Sequence, residues 1–319
     1  MSLRISPGPG AVAMRLPVSI ERIAQSASSS ARRPAPARSA ARWASRPGAA
    51  RLYRVAVEFV VGDVPVHYVE HGEGAPVLTL HGAGVDHREV MACLDPVFAE
   101  ANGYRRIYPD LPGMGRTPAP ESIASADDVL DVLLGFVDGM IGEEPLLVAG
   151  HSVGGYYAQA IATRRPDQVV GLALLCPLLP GIHDVPDHEI AVGSGSLGTA
   201  EFRDYFTVQT PQTLARYESY VEPAISLADQ SALARIGERW ELAEQPQGAG
   251  PYRHPTLLVT GRQDSTVGYA RAWELLEHFP HACFAVLDQA GHALPHEQPG
   301  LVRALVTEWL DRARRSRAG

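Results

Sequence analysis

The spacing of apolar and polar positions changes character twice along the chain. Residues 1–52 show no hydrophobic periodicity. From residue 53, short apolar runs of strand length alternate with stretches of helical spacing. Tyr53–Val61 and Val64–His71 alternate apolar and polar around Gly62-Asp63, which predicts a hairpin. Strands are predicted at Val77–His81, Arg106–Asp110, Leu146–Ala149, Val169–Cys176, Thr256–Thr260 and Cys283–Leu287. Helices are predicted at Asp86–Ala101, Ser125–Ile141, Val153–Arg164, Gly268–Phe279 and Glu297–Arg315. Eight strands interleaved with helices imply an α/β fold. Its sheet should be mostly parallel and eight-stranded, with helices on both faces.

Residues 177–250 break this rhythm. They hold Pro177, Pro180 and Pro186, the run Gly193-Ser194-Gly195-Ser196, and helix-like stretches around 200–208, 211–220 and 227–242. The segment reads as a small helical cap inserted into a core formed by 53–176 and 251–315. Residues 1–52 are rich in Arg, Ala, Ser and Pro and read as a disordered extension. A non-conserved or mis-called start, a functional basic tail and an organelle-targeting peptide are all open readings of it. Neither a secretory nor a twin-Arg signal is expected, because no apolar run of adequate length follows the basic residues.

Composition narrows the choices. The chain has 319 residues, 45% of them hydrophobic, enough for one large core. No apolar run approaches the roughly 18 residues of a membrane span. All 28 basic residues are Arg. Residues 1–54 carry ten Arg and one acid, whereas residues 55–319 carry 18 Arg and 35 acids, a net −17. So acidic a body argues against binding nucleic acid or an anionic membrane. Cys93, Cys176 and Cys283 lie in apolar surroundings without CxxC spacing. They read as core thiols in a reducing, cytoplasmic setting.

The chemistry centres on Ser152, in Leu146-Leu147-Val148-Ala149-Gly150-His151-Ser152-Val153-Gly154-Gly155. An apolar strand runs into Gly-x-Ser-x-Gly and a helix follows, so a sharp turn would present the serine hydroxyl. With 30 glycines in the chain, such a pentapeptide can arise by chance, so its surroundings must support it. Together with His81-Gly82-Ala83-Gly84 and Gly291-His292, this context resembles the α/β-hydrolase fold superfamily over roughly residues 55–315. The chain looks most like its capped, cofactor-independent serine hydrolases.

The resemblance implies a triad in the order nucleophile, acid, histidine. Ser152 is the nucleophile and His292 the base, with His296 as its rival. Asp264 is the acid, with Asp288 competing through its closeness to His292. The oxyanion hole would use the backbone N–H groups of Val153 and, by resemblance, Ala83. Gly82 and Gly84 would let the backbone approach the substrate. The turn Asp110-Leu111-Pro112-Gly113-Met114-Gly115-Arg116-Thr117 also resembles the superfamily. It is expected to be structural, with Arg116 open as a substrate-carboxylate contact. Tyr205 and Trp240, with Phe206, Tyr217 and Tyr220, form either an aromatic pocket or the cap's own core.

Two other features compete for attention. His183-Asp184-Val185-Pro186-Asp187-His188-Glu189 carries metal-ligand residue types, but its proline disrupts any regular spacing. His151 is expected to face away from Ser152, and Asp86 to cap a helix, although Asp86 and His87 could rim the pocket. No metal or organic cofactor is expected. The implied activity is cleavage of an ester, lactone or thioester in a small-molecule acyl substrate. Carbon–carbon bond hydrolysis, perhydrolase or lyase chemistry, and a non-catalytic ligand receptor are the alternatives. Monomer and homodimer are both open.

Overall fold

The structure, a computed structural model, describes residues 53–181, 185–246 and 250–318. The expected extension over residues 1–52 lies outside the described residues, as do His183 and Asp184.

Eight strands form one sheet: β1 (Tyr53–Val61), β2 (Val64–His71), β3 (Ala75–Leu80), β4 (Tyr104–Pro109), β5 (Leu146–His151), β6 (Val169–Leu175), β7 (Thr256–Gly261) and β8 (Ala282–Leu287). Their order is β1-β2-β4-β3-β5-β6-β7-β8. The β1–β2 and β2–β4 pairs are antiparallel, and all others are parallel. This is the mostly parallel sheet that the alternating pattern predicts. β5 and β7 are buried at every position, which is why they read as unbroken apolar runs.

Helices cover both faces. On one side α1 (His87–Ala101) packs against α9 (Pro299–Ala318); on the other, α2 (Ala126–Met140) meets α3 (Val153–Arg164). α2 starts where predicted because the Ser125 hydroxyl caps it, accepting the Asp128 N–H at 3.2 Å. Its face of Val129, Leu130, Val132, Leu133, Phe136 and Val137 is buried, each large side chain contributing about 1.5–3 kcal/mol.

Two helices differ from expectation. Residues 268–279 contain a 3-10 helix, Ala270–Glu277. Its two buried residues, Ala272 and Leu275, are three apart, matching three residues per turn. The last helix is split into α8 (Leu294–Glu297) and α9. Gln298 precedes Pro299 and takes φ −122°, ψ 50°, because a following proline disfavours the helical region. Cys93 and Cys176 are buried thiols, but Cys283 is half-buried, since β8 is an edge strand with one neighbour.

Between β6 and β7 the chain forms α4 (Ala200–Tyr205), α5 (Pro211–Arg216), a π-turn (Tyr217–Val221), α6 (Glu222–Ile225) and α7 (Gln230–Gly237). Phe202, Phe206, Tyr217, Val221 and Ala224 make a small core of their own, seated on Val85 and Ala293. Val85 follows β3 and Ala293 follows His292, so the insertion rests on the loops at the C-terminal ends of the strands.

Candidate active site

The residues singled out from the sequence converge at those strand ends. Ser152 sits between β5 and α3 with φ +55°, a strained conformation for a residue with a Cβ. Two glycines make the turn possible. A Cβ on Gly150 would lie 2.2 Å from the Gly154 carbonyl oxygen. One on Gly154 would lie 2.4 Å from that of Leu80. Ser152 is thereby clamped against β3, and its N–H bonds the Leu175 carbonyl on β6 at 3.0 Å.

His292 Nε2 lies 2.9 Å from Ser152 Oγ, and His292 Nδ1 lies 2.9 Å from Asp264 Oδ2. Asp264 is fully buried. Its other oxygen accepts the N–H groups of Thr266 and Val267 at 2.9 and 3.0 Å. Burial opposes its charge, but the His292 imidazole and these two N–H groups outweigh that and hold the carboxyl below its ordinary range. The rivals lie elsewhere. Asp288 accepts a hydrogen bond from Gln263. His296 is buried beside Cys93 Sγ, at 3.5 Å.

Gly82 adjoins the serine, since a Cβ there would lie 3.6 Å from Ser152 Cβ. Ala83 and Val153 are partly exposed on either side of the turn, and Gly84 bends the loop at φ +71°. Beneath it Asp110 gathers the following turn. Its carboxylate accepts from His67 Nδ1 (2.8 Å), His87 Nδ1 (2.7 Å), His87 N–H (2.9 Å) and Arg116 N–H (3.0 Å). Burial opposes its charge, yet the two histidines hold the carboxyl far below its usual range. The Arg116 residue is exposed. Asp86 caps α1 by accepting the Arg88 N–H at 3.0 Å.

The aromatic candidates divide. Tyr205 stands edge-on to the His292 ring, centroids 6.1 Å apart, and burial pushes its phenol well up. Phe206 and Tyr217 belong to the insertion's own core. Trp240 packs on Tyr156 of α3, centroids 6.1 Å apart, and Tyr156 itself is tied to Leu242 N–H. Trp240 thus packs on α3, and Tyr205 is the aromatic candidate beside the His292 ring.

Sequence reasoning missed Glu297. Its carboxylate accepts from Gly291 N–H (2.6 Å), Thr207 N–H (2.7 Å), Val208 N–H (3.0 Å) and Thr207 Oγ1 (3.2 Å). One buried group thus clasps the insertion to the loop carrying His292. Burial pushes its carboxyl up despite these donors. An acid five residues after His292 was the only signal available.

Two groups of potential metal ligands cluster among the described residues: His67, His87 and Asp110, and His151, Cys176 and His292. In the first, both Nδ1 atoms already bond the carboxylate. In the second, His292 Nε2 bonds Ser152 and His151 Nε2 bonds the His292 carbonyl. In the sequence candidate, His188 and Asp187 are exposed. No helix among the described residues is long and apolar enough to cross a membrane.

The alpha/beta hydrolase family model matches residues 77–305. The chain is 24% identical over 245 residues to a 2-hydroxy-6-oxo-6-(2'-aminophenyl)hexa-2,4-dienoic acid hydrolase of Metapseudomonas resinovorans, covering 75% of this chain and 84% of that protein. It is 30% identical over 252 residues to a pimeloyl-acyl-carrier-protein methyl ester esterase of Chromobacterium violaceum, covering 73% and 94%. Among solved structures, an alpha/beta superfamily hydrolase from Oenococcus oeni PSU-1 superposes with a TM-score of 0.73 at 26% identity, covering 78% and 96%. The chain belongs to the alpha/beta hydrolase family and is a hydrolase.

Proposed function

We propose that the protein is a serine hydrolase that cleaves a carboxylic ester, lactone or thioester through an acyl-enzyme on Ser152. The observation that supports this most is the unbroken chain from Ser152 Oγ through His292 to Asp264, with both links at 2.9 Å. In this reading His292 Nε2 takes the serine proton as Oγ attacks the substrate carbonyl. Val153 and Ala83 N–H groups stabilise the oxyanion, each worth about 3–4 kcal/mol in the transition state. His292 returns the proton to the leaving oxygen or sulfur. It then deprotonates a water, whose hydroxyl attacks the acyl-enzyme, and it returns that proton to Ser152 Oγ as the acid leaves. Asp264 holds the imidazole tautomer throughout and stabilises the imidazolium.

Residues 177–250 serve as a cap. Ser152 is 7% exposed and His292 6%, so substrate reaches them through a narrow opening or by cap displacement. Tyr205 forms part of the acyl pocket. Burst release of p-nitrophenol from a p-nitrophenyl ester tests the acyl-enzyme. Neither burst nor turnover with any acyl ester, despite tight small-molecule binding, contradicts it.

A second reading, carbon–carbon bond hydrolysis on the same serine, is supported by the similarity to the dienoic acid hydrolase. A substrate panel pairing short and long acyl esters with a vinylogous 1,5-diketone acid separates the two.

A further inference from the structure

Behind Ser152 lies a buried ion pair that the proposed chemistry does not use. Glu89 on α1 is 0% exposed and His151 is 1% exposed. Glu89 Oε1 lies 3.0 Å from His151 Nδ1 and 3.8 Å from His296 Nε2. The other carboxylate oxygen accepts the Gly82 N–H at 3.5 Å. On its far side, His151 Nε2 donates to the backbone carbonyl of His292 at 2.9 Å. Both ring nitrogens thus face oxygen acceptors. With the N–H on Nε2, the Nδ1 of a neutral ring would set a lone pair against the carboxylate, and a proton there turns that repulsion into attraction. The Glu89–His151 contact has ion-pair distance without hydrogen-bond angles, so it is charge that binds the two. A carboxylate buried here without a cation would be strongly disfavoured.

We infer that Glu89 and His151 form a positioning pair for the active site: the His151 imidazolium grips the His292 carbonyl, while Glu89 keeps that ring charged and steadies Gly82 in the loop of the oxyanion hole. The inference rests on the serine hydrolase reading. The pair joins three strand ends: the loop after β3, the end of β5 and the loop after β8. Burial disfavours the His151 cation, but Glu89 and the His292 carbonyl raise its proton affinity above the ordinary value. Glu89 is held well below its usual range against the cost of burial, chiefly by His151 and His296.

The pair also has an electrostatic consequence. The His151 and His292 rings are 4.9 Å apart, so the charge on His151 lies next to the catalytic imidazole. The other groups facing the cluster are His296 on α8, Cys93 on α1, Arg216 on α5 and Cys176 after β6. Arg216 donates to His296 Nδ1 at 3.3 Å and to Cys93 Sγ at 3.2 Å. Tyr205 covers the His292 ring.

The test is the rate of Ser152 modification by a fluorophosphonate across pH, in wild type, E89Q, H151Q and the double variant E89Q/H151Q. Loss of the His151 proton should slow the wild type on the alkaline side of that profile. That limb should be missing from H151Q and should move to lower pH by about half a pH unit or more in E89Q, where the carboxylate that keeps the ring charged is gone. The rate on the plateau should fall about tenfold or more in both single variants. The double variant, in which both groups are neutral, should recover folding yet lack that limb. Wild-type rates and limbs in folded variants overturn the inference. So does a slower rate with an unmoved limb, which marks a merely structural pair. Absence of a Ser152 adduct in the wild type instead overturns the serine hydrolase reading. Side-chain nitrogen NMR of the wild type gives a reading that needs no variant. The His151 ring should carry both protons at about pH 7, and a neutral ring there overturns the inference even if every variant misfolds.

Discussion

Two buried aspartates in this protein bind histidines at nearly the same distance. Asp264 holds His292 at 2.9 Å, and Asp110 holds His67 and His87 at 2.8 and 2.7 Å. Both carboxylates are 0% exposed. The difference lies beyond the ring. His292 Nε2 meets the hydroxyl of a serine forced to positive φ, whereas His67 Nε2 is buried with no hydrogen-bond partner. An Asp–His pair orients a ring and supports its charge. Chemistry needs a nucleophile at the other nitrogen. On the proposed reading, Asp264 serves the reaction, while Asp110 draws β2, α1 and the following turn together beneath the loop of the oxyanion hole.

The sharpest way to break this comparison is to remove the nucleophile. Ser152→Ala should lower kcat/KM by a factor on the order of 10^5, with little change in melting temperature. Retained ester turnover would mean that the Asp264 pair is no more catalytic than the Asp110 pair. Asp264→Asn should lower kcat by about 10^4 through loss of the correct imidazole tautomer. Asp110→Asn should instead act on the fold, costing about 3–5 kcal/mol in urea unfolding, because it breaks a buried charged cluster. Its activity, measured where it remains folded, should fall less than about tenfold.

The same contrast predicts a pH dependence. The Asp110 carboxyl lies below its ordinary 3.8 in the fold. Its contribution to stability is therefore full above that value and is lost as the pH falls toward the depressed folded one. Wild-type stability should drop steeply on acidification below about pH 4, and Asp110→Asn should flatten that slope. An unchanged slope would remove Asp110 from the account.

Glu297→Gln sharpens the picture at the clasp between the helical insertion and the His292 loop. It should reduce kcat/KM by about 10- to 100-fold by loosening both. Wild-type kinetics would show that the clasp does not govern His292. Asp288→Asn should change kcat/KM less than about twofold, since its carboxylate bonds Gln263 at the surface. A large loss would reopen the identity of the acid.

Legibility in the sequence followed the range of the interactions. The eight strands were readable because central strands such as β5 are buried on both faces and leave unbroken apolar runs. Ser152, Asp264 and His292 were readable because each follows a strand, so the sheet itself brings them together. Glu89 and His151 escaped because their meeting depends on how α1 lies across the end of β5, which periodicity does not encode. The helical insertion was least legible. Its aromatic residues divide among its own core, the His292 ring and Tyr156, and the sequence pattern is the same for all three. Pro299 lies inside the helix predicted over Glu297–Arg315, and the break at Gln298 comes from the proline's effect on the residue before it.

The central claim is that Ser152, activated by His292, is the group that becomes acylated. Peptide mass mapping after fluorophosphonate treatment of wild type and Ser152→Ala tests it most directly. The account predicts a single adduct on Ser152 in the wild type and none in the variant. An adduct on another residue, or equal labelling of Ser152→Ala, would contradict it.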